Sequence, residues 1–238
     1  MVEQLIHSPV LFALISGLLP ALFWLFFWLH IDRKRPEPFG LLFLCFMLGA
    51  VSVLFASLLQ HAVQSLASDG SKEQIAIFAA IEEILKYVAF AFVAKRSTYD
   101  DESIDPAIYM ITVALGFAAL ENIFYVLQPT AHATITAALL TGGLRFFGAT
   151  LLHTIASGFV GIGIALAPRG FKNTGAALGI AGAIFLHATF NFFILKNDAS
   201  SFLRVYGYLW VAGIMNLLIL EKLRRVSTPE GALVAVNQ

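Results

Sequence analysis

Apolar residues in this chain come in runs of about twenty or more, with no strict alternation and no narrow amphipathic stripe. Runs of that length suit helices crossing a hydrocarbon core about 30 Å thick. The pattern predicts helical spans near residues 8–30, 39–66, 74–95, 106–128, 145–167, 174–196 and 202–223. The breaks carry turn and charge signals: Asp32 to Pro38, Ser68-Asp69-Gly70-Ser71, Lys95 to Pro106, Gln128-Pro129, Pro168-Arg169-Gly170 and Lys196-Asn197-Asp198. Residues 131–144 are small and apolar but too short to span, which suits an interfacial or re-entrant helix or an extension of the next span. The expected fold is an all-α polytopic transmembrane bundle of about seven spans, eight if residues 131–144 form a separate helix.

Within these spans stand side chains foreign to hydrocarbon. Glu82, Glu83 and Lys86 lie in the third, Glu121 and Asn122 in the fourth, His153 in the fifth, and His187 and Asn191 in the sixth. A charge at the bilayer centre costs about 2.5–3.5 kcal/mol even on the lenient insertion scale. Three carboxylates and one ammonium left unpaired would cost roughly 10–14 kcal/mol. They must therefore meet each other, water or a metal. Successive spans run in opposite directions, and at 1.5 Å per residue the glutamates, histidines and asparagines fall roughly 7–14 Å below the same surface. Glu82 and Lys86 share a face at i,i+4, as do His187 and Asn191. Glu83 points about 100° away, so both carboxylates face inward only if the third helix is central. Gly148, Gly158, Gly161, Gly163, Gly175, Gly179 and Gly182, with Gly142-Gly143, line spans five and six and would let those helices approach closely.

Composition agrees with a membrane protein: of 238 residues 59% are hydrophobic and only 13% charged, against about a quarter charged in soluble domains. One integral membrane domain over 1–238 is expected. Net charge is zero, which offers nothing for nucleic acid. Cys45 alone excludes a disulfide framework and reads as a packing residue. No basic residue precedes the first run, so residues 8–30 read as a retained span rather than a secretory signal. Arg33-Lys34-Arg35, Lys95-Arg96, Arg169 with Lys172, and Lys222-Arg224-Arg225 fall on alternate breaks. The positive-inside rule then places the chain in the cell (inner) membrane with its N-terminus outside and C-terminus cytoplasmic. The polar level lies in the outer half. His7, His30, His61 and His132 lie near span ends and read as interfacial, and Trp24, Trp28 and Trp210 as packing or belt residues. Arg145 reads as a snorkelling end residue or a guide for a substrate carboxylate.

Two histidines and up to three carboxylates in a partly dry cavity support two chemistries. His153, His187 and a glutamate such as Glu82 form a catalytic ligand set suited to zinc, with a position left for water. Alternatively a glutamate and a histidine activate water directly, with Asn191 donating to the oxyanion. The second glutamate would orient the first ligand or base. Glu82–Lys86 also reads as a structural ion pair, and Glu121-Asn122 as a helix–helix hydrogen-bonding pair.

The segments Glu82-Glu83-Ile84-Leu85-Lys86, Gly116-Phe117 through Glu121-Asn122 to Tyr125, His153, and His187-Ala188-Thr189-Phe190-Asn191 resemble the motif set of the PrsW family, and Pro36-Glu37-Pro38 its first cytoplasmic loop. The resemblance runs in order from about residue 32 to 196. It implies a bacterial intramembrane protease, distantly similar to type II CAAX prenyl endopeptidases. Its expected substrate is a membrane-anchored protein of the anti-sigma-factor type, cut near the extracytoplasmic face. By family analogy Glu82, Glu83 and His187 would be essential, His153 and Asn191 would complete the site, and Lys86, Glu121 and Asn122 would support it. Two rivals keep the same residues: a proton-coupled transporter, which needs a polar path to both faces, and a non-catalytic binding or immunity protein of the same fold.

Overall fold

The structure, a computed structural model, describes residues 9–31, 36–94, 102–128, 148–168, 170–195 and 199–227. Among them it forms seven α-helices and no strand: α1 (Pro9–Ile31), α2 (Phe39–Val63), α3 (Lys72–Ala94), α4 (Asp105–Leu127), α5 (Thr150–Leu166), α6 (Lys172–Leu195) and α7 (Ala199–Ser227), with a 3-10 turn at Gln64–Leu66 after α2. Five of them, α1, α2, α4, α6 and α7, are long and apolar enough to cross a membrane. The protein is thus a multi-pass helical membrane bundle. Helix α3 is as long, at 23 residues, but carries Glu82, Glu83 and Lys86, and α5 has 17. The described part of the fifth helix runs from Thr150 to Leu166; residues 145–147, with Arg145, and the segment 131–144 lie outside the described residues.

Local sequence sets the elements that matter for the centre. The α2–α3 connection turns at Gly70, whose φ of 71° is left-handed and favours glycine. The Ser71 hydroxyl accepts from the Gln74 amide at 3.2 Å, while Gln74 accepts from the Gly70 amide at 2.8 Å and donates to Asp69 at 3.0 Å. Ser-x-x-Gln is a capping pair that satisfies the orphan N–H groups of a helix start, and it fixes where α3 begins relative to α2. Pro106 occupies the first turn of α4, where a missing N–H is harmless.

Helix α4 is the spine. It is buried on every side from Asp105 to Ala119, as a helix apolar all round must be. Helices α1, α2 and α5 pack on it, α6 lies against α5 and α3, α3 against α2, and α7 against α5 and α6. Glycines make these approaches close. A Cβ on Gly49 of α2 would strike the Val113 carbonyl of α4, and one on Gly116 of α4 would strike the Phe46 carbonyl of α2. Gly163 and Gly175 stand in the same mutual relation between α5 and α6, and a Cβ on Gly179 would lie 2.6 Å from Val160 Cα. Gly182 faces open space, so it takes no part in that contact. Trp24 and Trp28 are buried in the α1 contact while Trp210 is 49% exposed, and Cys45 is fully buried. Outward faces of α1, α2 and α7 carry exposed Phe26, Phe43, Leu58 and Leu218, the surface expected against acyl chains.

Candidate active site

Helix α3 supplies three of the polar groups. Glu82 is 8% exposed, and Glu83 and Lys86 are fully buried. Both carboxylates point inward because α3 lies among α2, α4, α5 and α6, while Ile84 and Val88 on its other face are exposed. The Lys86 ammonium donates to Glu83 Oε1 at 2.7 Å, an i,i+3 pair. The i,i+4 pairing of Glu82 with Lys86 expected from spacing is therefore not the one formed. Both spacings bring side chains together on a helix, and the choice falls to Glu83 because Lys86 also reaches His153 Nδ1, at 2.8 Å. Phe117 of α4 covers the ammonium, its ring centroid 4.7 Å away.

His153 of α5 and His187 of α6 meet edge to face with ring centroids 5.0 Å apart, each only 2% exposed. The close α5–α6 approach allows this. His187 Nδ1 lies 2.7 Å from Glu83 Oε1. An ionised carboxylate only accepts, so Nδ1 carries a proton, and in the neutral ring Nε2 presents a lone pair. Nε2 lies 3.7 Å from Glu82 Oε2. A carboxylate holding the far nitrogen of a histidine fixes its tautomer and ring orientation. His153 is arranged differently. An ammonium only donates, so Nδ1 accepts from Lys86 and Nε2–H donates to Glu121 Oε2 at 2.9 Å. Glu121, with 32% of its side chain exposed, is the accessible member of the group.

The remaining residues are placed as follows. Asn122 is buried but turns aside, donating to Thr150 Oγ1 at 3.0 Å and tying α4 to the start of α5. Asn191 is half-buried one turn beyond His187. Of the end histidines, His30 and His61 sit near helix ends, and His7 and His132 lie outside the described residues. Two polar contacts went unseen in the sequence. Gln60 of α2 donates to Glu82 Oε1 at 2.9 Å, and fully buried Asn216 of α7 donates to the Ile155 carbonyl of α5 at 3.0 Å. Gln60 stands three residues before the end of an apolar helix, where a glutamine looks like an interfacial residue. At the opposite end of α4 the Tyr109 hydroxyl donates to Glu37, anchoring the Pro-Glu-Pro segment. Between that end and the cluster, Met110, Ile111, Val113, Ala114 and Leu115 of α4 are buried and apolar.

Glu82, His153 and His187 each offer one ligand atom, and these atoms lie within 4.8 Å of one another. Two His and one Glu form a donor set known from catalytic zinc sites. Glu82 Oε2 and Glu83 Oε2 are buried without a hydrogen-bond partner. With the imidazoles neutral, Glu82, Glu83 and Glu121 bring three negative charges against the single positive charge of Lys86. The surplus of two suits a divalent cation. The residues fit a metal provided that Lys86 releases His153 Nδ1, which carries the ring's one lone pair while Nε2–H stays on Glu121.

Residues 37–218 match the profile of the PrsW family intramembrane metalloproteases. The chain is 29% identical to Protease PrsW of Oceanobacillus iheyensis over 208 residues, covering 85% of this chain and 93% of that protein. It is 31% identical to Protease PrsW of Geobacillus kaustophilus over 134 residues, 55% of this chain and 59% of that protein. A third relative, Protease PrsW of Bacillus subtilis, is 29% identical over 133 residues, 54% of this chain and 61% of that protein. No solved structure matches the chain. With glutamates and histidines gathered from four helices of the membrane bundle and a family match across most of its length, the chain belongs to the PrsW family: it is an intramembrane peptidase.

Proposed function

We propose that this protein hydrolyses a peptide bond in a membrane-anchored protein of the anti-sigma-factor type, near the extracytoplasmic face. The observation that carries the reading is the buried trio of Glu82, His153 and His187, with Glu82 Oε2 lacking any hydrogen bond and facing His187 Nε2. Glu82 is the carboxylate that takes the proton of the attacking water. Glu83 is a positioning residue, since its Oε1 already receives both Lys86 and His187 Nδ1. His187 Nε2 faces the reacting centre, and Asn191, one turn on, donates to the oxyanion. Zinc held by Glu82, His153 and His187 would instead lower the pKa of its water and polarise the scissile carbonyl, Glu82 then serving as a ligand rather than as the base. The outer location rests on the alternation of basic loops, which sets the N-terminus outside and the C-terminus in the cytoplasm.

The test uses detergent-purified parent, Glu82→Gln, Glu83→Gln, His153→Ala and His187→Ala proteins with single-span substrates of the anti-sigma-factor type. Folded Glu82→Gln and His187→Ala proteins should lose at least about 10²-fold in turnover, the usual contribution of a positioned acid or base. The cleaved bond, mapped by mass spectrometry, should lie within the outer half of the substrate span. Elemental analysis of the same samples should find about one zinc per parent chain and less in His187→Ala. Variants that are folded and cut as fast as the parent overturn the reading.

A further inference from the structure

Gln60 enters the cluster from α2, a helix that contributes none of the charged or imidazole groups of the cluster. Its contact is with the carboxylate that the proposed function makes the acting one, and the inference rests on that reading. An ionised carboxylate only accepts, so the Gln60 side chain presents its NH₂ group to Glu82 Oε1, at 2.9 Å. The two Glu82 oxygens are thus unlike. Oε1 is held by an amide from a neighbouring helix, whereas Oε2 is buried, has no hydrogen-bond partner and lies 3.7 Å from His187 Nε2. The terminal torsion of a glutamate is broad and roughly two-fold. A carboxylate with neither oxygen held would turn in its cavity, and its two oxygens would exchange places.

We infer that Gln60 is a positioning residue: it pins Glu82 Oε1, fixes the plane of the carboxylate and leaves Oε2 as the oxygen that meets water or metal. The α2–α3 connection is built to hold this register. The left-handed Gly70 and the Ser71–Gln74 capping pair end the turn at a defined residue. One residue of slip in α2 would shift Gln60 by about 1.5 Å along the axis and about 100° around it, out of reach of Glu82. The reciprocal contacts of Gly49 and Gly116 set α2 on the spine, so the donor is fixed from two sides.

The experiment compares parent, Gln60→Met and Gln60→Asn, purified as the full chain, on a fluorogenic single-span peptide that the parent cuts. Glu82→Gln runs beside them. Methionine keeps the bulk and removes the donor; asparagine keeps the amide but withdraws it by one methylene. The expected result is a kcat lower by about 10–100-fold for Gln60→Met, the usual effect of losing a partner that orients a ligand or base. KM and the melting temperature should stay at parental values, and Gln60→Asn should fall between. A packing role would lower the melting temperature and leave the kcat of the folded fraction unchanged; that result overturns the inference. So does a folded Gln60→Asn protein with full kcat beside a Gln60→Met protein that does not fold. A Glu82→Gln protein with parental activity sinks the underlying reading instead, and the two failures are told apart by that control.

Discussion

Lys86 is fully buried, and its ammonium is divided between Glu83 and His153, under the face of Phe117. Removing one partner of a buried ion pair leaves the other charge without compensation, at a cost of about 3–5 kcal/mol. Lys86→Met should therefore lower the detergent melting temperature sharply, and the double variant Lys86→Met/Glu83→Gln should recover most of the loss. A single variant as stable as the parent would show that Glu83 does not depend on the ammonium. Spacing alone made Glu82 and Glu83 equal candidates for Lys86, because i,i+3 and i,i+4 neighbours are both in reach. The choice was set by His153 on another helix, 67 residues away, and no local pattern encodes it. Gln60 was hidden for a related reason. Glutamine near a span end carries no charge to betray it, and its meaning appears only once Glu82 stands opposite.

Among the helices, the exact positions of contact were harder to read than the helices themselves. Runs of apolar residues bounded by Pro, Gly and charge located the described bounds of the helices to within a few residues, the expected start of α5 lying outside the described residues. Opposite chain directions already implied that the polar groups of α3, α4, α5 and α6 would share a level, and they converge in one buried group. The α5–α6 glycines were legible as a cluster. Gly49 and Gly116 were not, since each is a lone glycine in an apolar run, yet they bring α2 and α4 into backbone contact. Gly116→Ala should press its methyl group on the Phe46 carbonyl and force the helices apart, at about 1–3 kcal/mol, as overpacking does. Because α2 holds Gln60 and α4 holds Glu121, turnover should drop with it. Gly182→Ala, with open space around it, is the control and should be neutral or stabilise by up to about 1 kcal/mol. Melting temperatures and turnover of both proteins check the pair.

For the molecule as a whole, the fold places a polar cluster toward one end of the bundle and apolar packing of α4 between it and the Tyr109–Glu37 contact at the other. A continuous proton path would need polar groups where Met110 to Leu115 are mostly apolar and buried, so the geometry favours chemistry at one level. The proposed outer location, read from the basic loops, is tested by labelling. Cysteines introduced at Asp69 and Asn173, in a Cys45→Ser background, should react differently with a membrane-impermeant maleimide. Asp69→Cys should label in intact cells and Asn173→Cys only after permeabilisation; the reverse pattern would turn the protein over and move cleavage to the cytoplasmic side. Cys45 is fully buried, so background labelling stays low even if the replacement is incomplete.

The contributions to the buried group come from residues as far apart as Gln60 and His187, and this bears on how the chain is made. When α3 leaves the ribosome, Glu82, Glu83 and Lys86 have only each other and Gln60; His153, Glu121 and His187 have yet to be synthesised. Each charge faces a penalty of about 2.5–3.5 kcal/mol in hydrocarbon, so a lone α3 is a poor candidate for release into lipid. Its settlement in the bilayer is completed by helices translated later. Assembly of the buried cluster and insertion of its own scaffold are then one event, and a chain that stalls before α6 is left with a helix that neither water nor lipid accommodates.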